Sequence, residues 1–313
     1  MSRLAAESLL HGLITTSAVA AILAAGRISN AKARLRLWLL AIAGPVVFTP
    51  LAAVLAPARL SETFRDEWSL FSGSHFSYLR WHDSAVLAVI AYLLAGAGLI
   101  FFLLDGVPLL LDLARSRKRQ HRLAPIPDTL IHAVARATAT MGGTTPGLVV
   151  LASSYPLLSC RGWRSPRIVT SIGLLDRLNE DELDAAIAHE VAHARRRDPA
   201  LGWVLMVVRG LFLFNPCVQL CARAVARELE FRADEDAAAA SGGPAPVVRS
   251  LRKLVGDEHA HTYDPRPRHG FELAAIEARC RVLLEGRYGV PIPRWALPAT
   301  ALGLGVILFF TVA

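Results

Sequence analysis

Residues 179–198 have the sequence NEDELDAAIAHEVAHARRRD, which predicts one amphipathic helix. Asn179 followed three residues later by Glu182 is typical of a capping box, and acids fill the first turn. Arginines crowd the last turn, as the helix dipole favours, and we expect Pro199 to end the helix. Apolar residues recur at helical spacing and predict one buried face: Leu183, Ile187, Val191 and Ala194.

This helix carries His189-Glu190-Val191-Ala192-His193, in which the two histidines are four residues apart. Side chains at i and i+4 share a helix face, so both imidazoles can reach one Zn²⁺ at ~2.0–2.1 Å. Glu190 is then beside the first ligand, where it can act as the general base of a hydrolysis without binding the metal. The alternative is a helix that carries two surface histidines by chance, because only three letters of the motif are fixed.

A catalytic zinc needs a third protein ligand, and a second helix, predicted from about Cys217 to Ala240, offers one. Glu230 and Asp234 are one turn apart on it and share a face. One of these acids can bind the zinc while the other accepts the N–H of a ligating histidine. We expect the neighbouring acids to lie on a solvated face: Glu228, Glu235 and Asp236.

The composition predicts a membrane protein. Of 313 residues, 53% are hydrophobic and 19% are charged, whereas soluble domains carry about 25% charged residues. Four apolar stretches approach the ~20 residues that a helix needs to cross a bilayer: about 9–25, 37–57, 85–104 and 295–313. The predicted organisation is therefore a three-span region, a cytoplasmic domain and a fourth transmembrane helix: 1–114, 115–293 and 294–313. A shorter apolar stretch, Leu201–Phe214, predicts a buried or membrane-surface helix.

The charges that flank these stretches predict their orientation. Two segments hold cations and no acids: Arg27, Lys32, Arg34 and Arg36 in one, and Arg115, Arg117, Lys118, Arg119 and Arg122 in the other. The positive-inside rule then places the N-terminus outside the plasma membrane and the domain 115–293 in the cytoplasm. The net charge of +8 therefore indicates membrane orientation, and we expect no direct nucleic-acid partner. A cleaved signal peptide is the alternative for the first stretch.

Two short strands are predicted in the cytoplasmic domain, Leu148–Leu151 and Arg167–Ser171. We expect a polypeptide substrate to pair with the second of these as an edge strand, through Arg167, Ile168, Val169, Thr170 and Ser171. Three later residues are candidates for stabilising the oxyanion of the reaction, an ordinary loop role being the alternative for each: His261, Tyr263 and His269.

Five sequence features together resemble the BlaR/MecR family of membrane zinc metallopeptidases: LLDRL at 174–178, the HExxH helix, RRRD at 195–198, Asn215-Pro216, and Arg227-Glu228-x-Glu230-x-x-x-Asp234. The resemblance implies a mainly α membrane protein with four transmembrane helices and a cytoplasmic α+β gluzincin-like domain. It also implies one Zn²⁺ held by His189, His193 and Glu230, with Asp234 behind a ligand and Glu190 as catalytic base. Members with antibiotic-sensing roles carry a penicillin-binding sensor after the fourth span, and we expect a short form without it.

By the same resemblance, the protein is a metalloendopeptidase of transmembrane signalling that cleaves a BlaI/MecI-type repressor, itself, or both. One alternative is a housekeeping quality-control protease similar to HtpX or the CAAX-prenyl endopeptidases. A second is a non-enzymatic membrane receptor or scaffold, against which the presence of Glu190 argues. Membrane lipids are expected partners, and oligomerisation stays open. The loop 57–84, rich in aromatic residues, predicts an interfacial belt, with a small sensor or a partner contact as the alternative.

Overall fold

The computed structural model describes residues 3–70, 85–107, 122–256, 268–286 and 293–311. In chain order its α-helices are α1 (Arg3–Ala25), α2 (Ala31–Ala43), α3 (Thr49–Leu55), α4 (Glu62–Glu67), α5 (Ala85–Phe101), α6 (Asp128–Met141), α7 (Ile172–Leu175), α8 (Glu180–Arg196), α9 (Asp198–Leu211), α10 (Pro216–Ala240), α11 (Pro244–Gly256), α12 (Arg268–Glu285) and α13 (Ala296–Phe309). The strands are β1 (Gly147–Leu151), β2 (Leu158–Arg161) and β3 (Arg167–Ser171).

The chain forms two compact units. The first contains Met1–Ser116, Leu205–Glu228 and Gly289–Ala313, and the second contains Arg117–Val204 and Leu229–Tyr288. The predicted division of the chain differs from this at Leu205–Glu228, which the sequence analysis assigned to the cytoplasmic domain. This segment packs with the first unit because it is largely apolar and its polar groups find partners there, as described below.

Among the described residues, two helices, both in the first unit, are long and apolar enough to cross a membrane: Leu4–Ala25 and Ala31–Leu55. The second of these continues from α2 through a π-helical turn, Gly44–Phe48, into α3. The third and fourth predicted spans coincide with shorter apolar helices, Tyr92–Leu104 and Ala296–Phe309. The two N-terminal helices therefore support a membrane location, while four spans and their orientation stay a prediction.

A buried polar cluster holds the first unit together. Arg59, only 1% exposed, donates to Glu7 at 3.0 Å and to the carbonyl oxygens of Phe309 and Leu308 at 2.7 and 3.0 Å. The C-terminal carbonyls of α13 thus gain the donors that a helix end otherwise lacks. His11 of α1 lies 2.8 Å from the Thr311 carbonyl oxygen.

The second unit is built around α8. Its first turn has the predicted capping box, in which Asn179 accepts from the Glu182 amide at 2.9 Å and Glu182 accepts from the Asn179 amide at 3.0 Å. The predicted apolar face is buried in the core of the unit. The helix ends before Pro199, as predicted. Arg197 ends it in the left-handed conformation, with φ of 56°, and Pro199 occupies the first turn of α9, where its missing N–H leaves no hydrogen bond unmade.

The three strands form a sheet in the order β1-β3-β2. Strand β3 pairs in parallel with β1 and antiparallel with β2. The predicted strands Leu148–Leu151 and Arg167–Ser171 are thereby confirmed as β1 and β3. The prediction of Arg167–Ser171 as an edge strand is wrong, because β1 and β2 already occupy both of its hydrogen-bonding sides. Strand β2, which the sequence analysis did not predict, forms one edge of the sheet.

Candidate metal centre

Three side chains of the second unit converge on one point. The Nε2 atoms of His189 and His193 lie 3.1 Å apart. The Glu230 carboxylate oxygens lie 3.4 Å from the first of these nitrogens and 3.6 Å from the second. All three ligand atoms fall within 4.8 Å of one another. Two imidazoles and one carboxylate are a donor set of catalytic zinc sites, which keep a fourth position open, so these residues fit Zn²⁺.

A carboxylate stands behind each histidine. Asp234 is 1% exposed, and its Oδ1 lies 3.0 Å from His189 Nδ1. Asp198 is 8% exposed, and it accepts from His193 Nδ1 at 2.8 Å. The hydrogen bond to Asp198 fixes the tautomer and ring orientation of His193 and leaves its Nε2 free to bind a metal. Asp234 lies close enough to His189 Nδ1 for the same role, without hydrogen-bond geometry in this structure. The prediction that Asp234 supports a ligand agrees with this geometry, whereas the equivalent role of Asp198 was not predicted.

Arg279 of α12 joins the two acids of α10. It donates to both oxygens of Asp234, at 2.6 and 2.8 Å, and its Nη1 lies 3.1 Å from Glu230 Oε2. Burial opposes the ionisation of Asp234, but Arg279 and His189 outweigh it and hold the pKa of Asp234 below its usual range. Despite burial, His189 and then Arg279 likewise lower the pKa of Glu230, so both acids stay in the charged state in which they accept hydrogen bonds or bind a cation.

The electrostatics of the cluster are those of a cation site. Burial favours neutral His189, but Asp234 and Glu230 outweigh burial and raise the pKa of this histidine to about 10. The acids therefore hold positive charge where the imidazoles point. A metal ion requires the neutral imidazole, so a cation bound at Nε2 replaces that proton.

Glu190 lies next to the cluster without joining it. Its side chain is buried, and this burial raises the pKa of its carboxyl group. The backbone N–H of Cys160 in β2 donates a hydrogen bond to Glu190. The edge strand of the sheet thus runs beside the residue predicted as catalytic base.

The other predicted site residues divide into two groups. Arg167–Ser171 lies in the middle of the sheet, as described above. His261 and Tyr263 lie outside the described residues, and His269 lies in α12, where its side chain is also outside the described part. No catalytic role for these three is therefore tested by the structure.

Two of the acids that were expected on a solvated face have partners. Glu228 is fully buried, and its Oε1 accepts from Arg34 Nε at 2.8 Å. Asp236 pairs with Arg196, which also donates to Asp198 at 3.1 Å. The solvated-face prediction is wrong for Glu228 because the cation that neutralises it is 194 residues away in the chain.

The sequence analysis also missed Arg279, Asp198 and β2. The sequence does indicate Asp198, because it follows the second histidine of the motif by five residues. A histidine that binds a metal usually contacts an acid through its other ring nitrogen. Arg279 lies within a helix of ordinary composition and follows Asp234 by 45 residues, so local sequence does not mark it.

Comparison with known proteins finds relatives among membrane proteases. The model of the family described as BlaR1 peptidase M56 matches residues 72–241, which is more than half of the chain and includes the proposed zinc ligands. The chain is also 26% identical over 179 residues to Protease HtpX of Legionella pneumophila (strain Corby), covering 44% of this chain and 62% of that protein. It is 28% identical over 173 residues to a Protease HtpX homolog of Thermococcus kodakarensis (strain ATCC BAA-918 / JCM 12380 / KOD1), covering 43% and 58%. The matched part thus spans less than two thirds of the length of these relatives.

Proposed function

The chain belongs to the BlaR1 peptidase M56 family, and we propose that it is a zinc-dependent membrane metalloendopeptidase acting on a cytoplasmic polypeptide. One observation carries the proposal. The Nε2 atoms of His189 and His193 converge with the Glu230 carboxylate, while their Nδ1 atoms face acids and Glu190 stays unbound beside them.

Each residue of the site has its own role in the proposed hydrolysis. Zn²⁺ held by His189, His193 and Glu230 would polarise the scissile carbonyl and lower the pKa of water. Glu190 takes the proton from the attacking water and passes it to the leaving amine. Its burial, which raises the pKa of the carboxyl group, suits the second of these transfers because the protonated form is then easier to reach.

Strand β2 replaces β3 as the candidate for substrate binding. Among the described residues, β2 pairs with β3 on one side. On its other side, the Cys160 N–H reaches Glu190. An extended polypeptide that adds to the sheet along this edge, the mode of β-strand addition, would pass beside the catalytic base.

Family membership supports two proposals for the substrate. Membership in the BlaR1 peptidase family favours regulated signalling, with cleavage of a BlaI/MecI-type repressor, of the protein itself, or of both. The identity to Protease HtpX supports a second candidate, a protease of membrane-protein quality control. A scaffold without activity is disfavoured, because metal binding alone does not need Glu190 between the two ligating histidines.

The test is proteolysis by the isosteric variant Glu190→Gln, which keeps the zinc ligands. We expect zinc content equal to wild type and loss of cleavage. Proteomics of cells that express the two forms should show one stabilised regulator for a signalling protease and many stabilised membrane proteins for a quality-control protease.

The matched control is Glu180→Gln on the same helix, because this acid is 82% exposed and distant in sequence from the motif. It should leave zinc content and cleavage unchanged. Cleavage by Glu190→Gln at the wild-type rate would show that the residue is not the base and would overturn the proposed mechanism.

A further inference from the structure

Arg161, the last residue of β2, is an exposed cation that the proposed chemistry does not use. Its Nε donates to Ser159 Oγ at 2.9 Å. Residues two apart on a strand project from the same face of the sheet, so this arginine lies back along β2 over Ser159. Between the two is Cys160, whose backbone N–H donates to Glu190. A positive charge is thus held beside the part of β2 that reaches the catalytic base.

This charge has no acidic partner within the described ranges, where the hydrogen bond to Ser159 is the polar contact of the Arg161 side chain. One reason is local, because residues 129–175 contain no Asp or Glu. Acids of the second unit that lie elsewhere in the chain pair with other cations, as Asp184 does with Arg136. Arg161 is therefore available to a carboxylate that comes from outside the chain.

A second arginine lies directly opposite Arg161 but is directed away from it. Arg167 of β3 is its partner in the antiparallel register. The Arg167 side chain lies across β1, where a Cβ added at Gly147 would meet its Cγ at 3.3 Å. Like charges directly opposite each other are unfavourable, and the two side chains diverge accordingly. Arg161 is thus the member of this pair that lies at the edge of the sheet.

A substrate strand along β2 would bring its own side chains to Arg161. Directly opposite residues on neighbouring strands have Cβ atoms about 4.5–5.5 Å apart on the same face of a sheet. The substrate residues opposite Arg161 and Ser159 would therefore project toward the guanidinium. Both are adjacent in sequence to the substrate residue opposite Cys160, which is the position beside Glu190. Substrate side chains close to the bond that is cut would thus meet a positive charge.

We propose that Arg161 determines specificity, by selecting polypeptide substrates with an Asp or Glu within about two residues of the scissile bond. The inference rests on the proposed function, because it needs a substrate strand along β2. The planar guanidinium matches a carboxylate, and the attraction strengthens when the bound strand displaces water from the pair. A Lys or Arg of the substrate at the same place is repelled, so the charge also selects against basic sequences.

The test uses the full-length protein in detergent and, as its probe, a library of peptides prepared from a whole-cell proteome. Mass spectrometry identifies the cleavage sites, and Glu190→Gln reports cleavage by contaminants. Wild type should cut near Asp or Glu more often than the composition of the library predicts. Arg161→Gln should lose this preference, and Arg161→Glu should prefer Lys or Arg at the same positions.

A cleaved peptide with one such Glu, and its copy with Gln in that place, give the magnitude. For wild type, kcat/KM should be about tenfold higher for the Glu peptide, the lower end of the effect of a charged hydrogen bond. The difference should lie mainly in KM, because this contact is made equally in the ground state and the transition state. It should shrink at high salt, since Arg161 is exposed. Arg161→Gln should cleave both peptides equally well.

Arg164→Gln is the matched control, because Arg164 is also exposed but lies in the loop between β2 and β3. It should keep the wild-type preference. The proposal is overturned if wild type shows no preference for acids, if Arg161→Gln keeps that preference, or if Arg164→Gln loses it to the same extent.

Glu190→Gln separates this inference from the proposed function. Equal cleavage of the library by wild type and Glu190→Gln refutes the proposed function, and the inference falls with it. Cleavage that depends on Glu190 but not on an acidic residue of the substrate refutes only the role of Arg161.

Discussion

Substitutions at Asp198 test the metal centre in two steps of severity. This acid contacts His193 in the structure but is not part of the HExxH motif. It accepts from His193 Nδ1 at 2.8 Å and is only 8% exposed. A hydrogen bond to a charged group contributes about 1.5–3 kcal/mol and a neutral one about 0.5–1.5 kcal/mol. Asp198→Asn should therefore weaken zinc binding by about 1.4 kcal/mol, or about tenfold. Asp198→Ala, which removes the acceptor, should weaken zinc binding by about 10–100-fold.

The assay is zinc affinity of the full-length protein, measured against a chelator of known affinity. Arg196 keeps its pairing with Asp236 after either substitution, so the fold should tolerate the change. Asp184→Ala is the matched control, since Asp184 is on α8, the helix that carries both histidines, and pairs with Arg136 away from them. Equal affinities for Asp198→Ala and Asp184→Ala would refute the reasoning, because they would mean that the acid behind His193 does not support the ligand.

Three further predictions concern stability, measured by thermal or denaturant unfolding of the full-length protein in detergent. Glu182→Gln should lose about 1 kcal/mol at pH 7, because Lys253 donates to Glu182 at 2.6 Å while itself 45% exposed. Burial raises the pKa of Glu182, but Lys253 outweighs burial and lowers this pKa below its value in the unfolded chain. The stability lost in Glu182→Gln should therefore shrink as the pH falls below about 4. A loss of stability that grows in acid would contradict this. Arg59→Gln should cost about 3–5 kcal/mol, because it leaves a buried acid without its cation, and an unchanged unfolding temperature would contradict the cluster. Gly173→Ala should cost about 3 kcal/mol, since its Cβ would lie 1.9 Å from a backbone oxygen, whereas Gly202→Ala, with open space around it, should cost nothing.

Sequence predicts well those parts of the site whose residues lie within one helix. The capping box of α8, its buried face and the i, i+4 histidines follow from helical periodicity alone, and the structure has each of them. Glu230 and Asp234 follow from the same spacing on α10, and one lies at the metal position while the other lies behind His189. The positions of these two acids fit the two proposed roles, which spacing alone left open.

The parts that sequence missed depend on contacts between distant segments. Strand β2 has only four residues, Leu-Ser-Cys-Arg, without the alternation that marks a half-buried strand, so the longer β3 was taken for the edge. Asp198 reaches His193 because Arg197 turns the chain through a left-handed conformation, which a non-glycine residue rarely adopts. Glu228 was expected in solvent because its partner Arg34 belongs to a different helix.

X-ray absorption spectroscopy at the zinc edge of the purified full-length protein tests the central claim most directly. We expect one zinc per chain with only nitrogen and oxygen neighbours at ~2.0–2.1 Å, two of them imidazoles. Glu190→Gln should keep this spectrum, and Glu230→Ala should lose the metal. A sulfur neighbour at ~2.3 Å, or full occupancy without Glu230, would place the zinc elsewhere in the chain and contradict the account.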